Sequence, residues 1–113
     1  MGNERSAVRM LCADIVEVHW RDQAGRNWHG TGLLEDISAE GACLQVESAI
    51  PLGAEIRWEG PRKRFEGEVR YCVYREIGYF VGVEFHSGSR WSKKDYQPQH
   101  LLDLERLLER TKK

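Results

Sequence analysis

No run of the 113-residue chain approaches the ~20 consecutive apolar residues that a membrane-crossing helix requires, so no membrane span is expected. The first residues, Met-Gly-Asn-Glu-Arg-Ser, lack the basic start and apolar stretch of a secretory leader, and the cytoplasm is the default compartment. Cysteine is sparse. Cys12, Cys43 and Cys72 are odd in number, scattered and never spaced Cys-x-x-Cys, so neither a disulfide framework nor a zinc knuckle is signalled and reduced thiols are expected. His19, His29, His86 and His100 carry no metal-ligand spacing, so no metal is expected. Neither sign of charge dominates: 17 basic and 18 acidic side chains leave a net charge of -1. That balance argues against a general nucleic-acid binder, whose affinity comes from neutralising many phosphates, and any anionic ligand must meet a local cluster of positive charge. Catalytic constellations are missing too. Ser38 lacks a Gly-x-Ser-x-Gly elbow, no Cys and His are adjacent, and the carboxylates show no paired arrangement, so neither an enzyme nor a cofactor is expected.

What is present is the composition of one globular domain, with 41% apolar and 31% charged residues in a chain too short for two cores. Residues 1–11 have little periodicity and several polar groups, which predicts a mobile arm; residues 12–113 predict a single compact domain. Ala13 to Trp20 is rich in β-branched and aromatic residues, and turn residues from Asp22 to Gly25 precede a second extended run from Trp28 to Asp36. Ala42, Leu44 and Val46 alternate with polar or small neighbours, as do Ala54, Ile56 and Trp58. Phe65, Val69, Tyr71 and Val73 predict one apolar face, and Tyr79, Val81, Val83 and Phe85 another, in a long hairpin turning at Glu76-Ile-Gly78. Six strands with short connections predict a closed barrel, because closure removes the edges an open sheet would expose. Beyond Pro98, the spacing of Leu101, Leu104, Leu107 and Leu108 predicts a C-terminal α-helix over about 98–111 that caps one end of the barrel.

Two short patterns stand out. The first is an arginine pair four apart, Arg5 and Arg9; the spacing alone is unselective, since Arg106 and Arg110 repeat it. The second is Asp36-Ile-Ser38-Ala-Glu-Gly41, which falls on a turn between two strands and is the rarer of the two. Taken in order with Pro51-Leu-Gly53 and the closing run Val81-Gly-Val-Glu-Phe85, they make the chain resemble, nearly end to end, the PilZ domain, a bacterial receptor module for cyclic di-GMP.

That resemblance implies an all-β fold, a six-stranded antiparallel barrel with a C-terminal helix, and a ligand site on its outer surface where the arm meets the Asp-Ser-Gly turn. It implies cyclic di-GMP as ligand and an unidentified effector protein as partner; the oligomeric state is left open. Carried over by position, Arg5 and Arg9 fork onto phosphates or guanine edges, and Asp36 accepts from guanine N1 and N2 hydrogens. Ser38 offers a short hydroxyl, and Gly41 allows close backbone approach or a positive φ. Many relatives have arginine or a neutral residue before the first arginine, where this chain has Glu4, so one bound ligand is expected rather than a stacked pair. Two other readings stay open: a nucleotide-independent adaptor built on the same barrel, and a single-strand nucleic-acid binder whose tryptophans stack bases.

Overall fold

The computed structural model describes residues 10–60, 63–89 and 91–92, and the backbone of 102–103. The strands are β1 (Met10–Arg21), β2 (Asn27–Ile37), β3 (Gly41–Val46), β4 (Glu55–Glu59), β5 (Arg64–Arg75), β6 (Gly78–Phe85) and a two-residue β7 (Leu102–Asp103). All pair antiparallel, and the order β1-β2-β3-β6-β5-β4 returns to β1, closing a six-stranded barrel. No helix among the described residues is long and apolar enough to cross a membrane.

Alternation decides which side chains fill this barrel. Val18 and Trp20 of β1, Leu44 and Val46 of β3, Ile56 and Trp58 of β4, and Val81, Val83 and Phe85 of β6 all point into one core. Trp58, Phe65 and Phe85 form its aromatic centre, with ring centroids 5.5 to 5.9 Å apart. Each fully buried side chain of this size contributes about 1.5–3 kcal/mol of transfer free energy. Between β1 and β2, Asp22 takes the place of a longer turn. One carboxylate oxygen accepts from the amides of Ala24 and Arg26 and the other from Trp28 Nε1, while Gly25 supplies the left-handed residue at φ 85°.

Two expectations need correction. The predicted apolar face Phe65, Val69, Tyr71, Val73 is not one face. The β5–β6 register shifts between Val69 and Tyr71, so Phe65 and Val69 are buried while Tyr71 and Val73 are about two-fifths exposed on the outside. Arg70 is the extra residue of a bulge, and one inserted residue swaps every later side chain to the opposite face, which is why Cys72 now packs against the core. The predicted C-terminal helix fails at Leu102 and Asp103, which pair as a strand with Leu11 and Met10. β4 reaches β1 only from Val18 to Arg21, leaving the start of β1 with backbone groups to satisfy. Helical spacing is a weak prior against that tertiary demand. The remaining residues of 98–111 lie outside the described residues.

On the outer surface, His86 Nε2 meets Glu55 Oε1 at 2.7 Å across the β4–β5–β6 seam. The hydrogen bond to that carboxylate, together with its charge, raises the imidazole above its ordinary titration range. A raised folded value means the pair's contribution is complete below the unfolded histidine's pH of about 6.5 and is lost as pH rises through the folded one. Both side chains are about half exposed, so solvent screening keeps that contribution small. In an NMR titration His86 should protonate at higher pH than a model histidine, and Glu55→Gln should bring it down toward the ordinary value, with the charges of Glu66 and Glu68 still raising it.

Candidate functional site

The run from Asp36 to Gly41 links the end of β2 to the start of β3, and its backbone is tied down from several sides. Ser38 N donates to Gly41 O at 2.8 Å, Phe85 N to Glu40 O at 2.8 Å, and Trp91 N to Ala39 O at 3.2 Å. The Ser38 hydroxyl donates to Gly41 O and accepts from Glu40 N, both at 3.3 Å. Asp36 and Ser38 are each only 8% exposed, so neither behaves as an ordinary solvated turn residue. Gly41 does not have a positive φ; the positive-φ glycines among the described residues are Gly25, Gly53 and Gly78. What Gly41 provides is clearance. A Cβ there would collide with the carbonyl oxygen of Val83 on the neighbouring β6.

The turn forms one wall of a hollow of about 340 Å³ on the outer face of the barrel. Cross-strand register builds its floor: Asp36 is opposite Cys43, Cys43 opposite Gly82, and Gly82 opposite Tyr71. The Tyr71 ring lies over Gly82, where any Cβ would intrude on it. Arg70, the bulged residue, closes the far side, held by Glu84 through Nε and approached by Glu68 at 3.9 Å from Nη1. The structure therefore brings Asp36, Ser38 and Gly41 to one hollow. Arg5 and Arg9 lie outside the described residues.

Arg70 and Tyr71 were missed by the sequence reading, because the bulge that turns them outward leaves no trace in the apolar alternation. The available signal was Gly82. A glycine inside a strand marks a place where another group approaches closely, and here that group is the Tyr71 ring.

Among the described residues the hollow is lined by three carboxylates, Asp36, Glu40 and Glu84, against the one guanidinium of Arg70. Acidity extends beneath it. Burial, and then the charges of Asp14, Asp36 and Glu35, push the Cys12 thiol up to about 12, which makes it a neutral core residue rather than a nucleophile. Burial, and then the charge of Asp36, also raise Glu35 above the usual carboxylate range. Such a surface suits hydrogen-bond donors, as on a base edge, but holds a doubly anionic ligand only if further cations join it.

The family model of the PilZ domain matches residues 3–97 of the sequence. None of the curated proteins compared with the chain matches it.

Proposed function

The chain belongs to the PilZ domain family, a family of cyclic di-GMP receptors and adaptors, and on that premise we propose that it binds one cyclic di-GMP molecule in the hollow beside Asp36. The observation that carries the reading is the pairing of Met10 with Ile37 and of Leu11 with Asp36. Arg9 directly precedes Met10 in the sequence, and Met10 is paired next to the motif turn. Arg5 is four residues further along the same chain. The acidic hollow needs cations before it can take two phosphates, and these two arginines are the ones nearest in sequence to Met10, which pairs beside the motif turn. Arg70 adds a third guanidinium.

In this scheme Asp36 accepts from the N1 and N2 hydrogens of a guanine, which selects against adenine, and Arg5 and Arg9 fork onto phosphate oxygens. Ser38 holds the turn in shape through Gly41 O while presenting its hydroxyl edge to the ligand. Tyr71 offers a ring face to a base or ribose. No covalent chemistry is involved. Binding changes the surface around the N-terminal arm, and that change is what an effector protein reads.

Titration calorimetry with cyclic di-GMP, GTP and a short oligonucleotide tests this. Saturable heat near one equivalent with the cyclic dinucleotide alone is the expected result. Binding of two equivalents would mean that Glu4 turns away and permits a stacked pair. Silence with all three would leave the nucleotide-independent adaptor, and salt-sensitive oligonucleotide binding the third reading.

A further inference from the structure

His19 of β1 and His29 of β2 stand directly opposite each other in the hairpin register, with their ring centroids 5.8 Å apart. Val18 and Trp20 on either side of His19 are buried, so strand alternation turns the histidine pair to the outer surface, where it shares no residue with the hollow beside Asp36. Glu17 and Thr31 form the next outward pair along the same two strands. His29 Nδ1 lies 2.9 Å from Glu17 Oε2, and the other oxygen of that carboxylate accepts from the Thr31 hydroxyl at 3.4 Å. An ionised carboxylate can only accept, so Nδ1 carries the proton and the lone pair of the neutral ring is on Nε2. Among the described residues His19 has no hydrogen-bond partner, which leaves its ring nitrogens free to act as ligands.

We propose that His19 and His29 chelate one divalent transition cation, with Glu17 as the positioning residue that keeps His29 Nε2 as the ligand atom and with water completing the coordination. The inference does not depend on nucleotide binding. An ion about 2.1 Å from each ligating nitrogen holds two imidazole centroids roughly 4.5 to 6.4 Å apart as the angle at the metal opens. The 5.8 Å separation falls inside that span before any ion is bound. A carboxylate behind a ligating histidine also makes the ring a better donor, which is the part Glu17 plays here. Among the described residues no group of three ligating side chains is arranged around a metal, so the protein supplies two imidazoles and the site stays open to solvent. Its charged neighbours offset each other: Glu17 lies on one side and Arg57, opposite His19 on β4, on the other. Imidazole chemistry therefore selects the ion, favouring copper, nickel or zinc over magnesium or calcium. The spacing of the two histidines along the chain carries no such signal, because only the β1–β2 register sets them face to face.

Zinc titrated into the full chain, followed by calorimetry and by the histidine ring signals in NMR, should bind at one equivalent, with affinity at least ~tenfold lower in His19→Gln and in His29→Gln. The ring signals of His19 and His29 should move together while those of the other histidines stay in place, and magnesium should move none of them. Zinc should also raise the melting temperature of the wild type and leave that of both histidine variants unchanged. Ring nitrogen shifts should show His29 as the Nδ1–H tautomer; Glu17→Ala should mix the tautomers and weaken zinc binding roughly tenfold. No zinc binding at ~0.2 mM protein, binding that survives the loss of either histidine, or signals that move at other histidines instead overturns the proposal. A Glu17→Ala variant with the wild-type tautomer and zinc affinity overturns the role given to Glu17.

Discussion

Asp36→Ala should leave a folded, cooperatively melting barrel whose affinity for cyclic di-GMP has fallen between about tenfold and a hundredfold, with its preference for guanine over adenine lost. A carboxylate accepting two parallel hydrogen bonds from a base edge is worth about 1–3 kcal/mol of discrimination, and each 1.4 kcal/mol is a factor of ten. The side chain is 8% exposed, so a guanine meeting it would exchange water for a nearly buried, charge-assisted pair. Asp36 also repels its neighbour: its charge helps to raise Glu35 and Cys12 above their ordinary ranges. Removing it relieves that repulsion, and the variant's melting temperature tells a binding defect from a folding defect. The measurement is calorimetry with cyclic di-GMP and cyclic di-AMP on wild type and variant. If the two proteins bind cyclic di-GMP equally, Asp36 does not touch the base and the proposed orientation is wrong.

The motif turn was legible in the sequence because its information is local. Asp, Ser and Gly in that spacing are turn residues, and β3 after them alternates clearly, whereas β2 before them carries a register shift between Leu34 and Asp36 that sends both Leu34 and Ile37 into the core. β4 and β6 were legible for the same reason: Ile56 and Trp58, and Val81, Val83 and Phe85, are buried as alternation requires. The failures share a different origin, in that each depends on a non-local pairing. Nothing in Val69-Arg-Tyr-Cys-Val73 shows that β6 meets it with one residue out of step, yet that slip puts Arg70 and Tyr71 at the hollow and Cys72 toward the core. The leucine spacing after Pro98 gave no hint that Leu102 and Asp103 complete the edge of β1. Barrel closure lies between these cases: local alternation supplied the strands, whereas their order came from the family resemblance.

The role of Gly41 separates a structural reading of the motif from a ligand-centred one, because the two predict different behaviour for Gly41→Ala. Its φ is one that any residue can adopt, so alanine meets no conformational penalty there. The obstacle is steric. The new methyl would press on the Val83 carbonyl oxygen, with the Val83 carbonyl carbon 3.4 Å away, and both are backbone atoms of a strand paired with β3 along its whole length. Backbone cannot swing aside, so β3 must draw back from β6 at the residue whose carbonyl anchors both the amide and the hydroxyl of Ser38. Forcing an extra methyl into a closed contact costs about 1–3 kcal/mol. For a domain of this size that lowers the melting temperature by roughly 5–15 °C, without any ligand present. Gly82→Ala is the informative comparison. Its methyl would strike the Tyr71 ring, a side chain that can rotate into solvent, so it should melt closer to wild type while displacing that wall of the hollow. Should ligand-free Gly41→Ala melt with wild type yet fail to bind the nucleotide, the glycine would be serving close approach of the ligand, and its clearance from Val83 would not be what the fold requires.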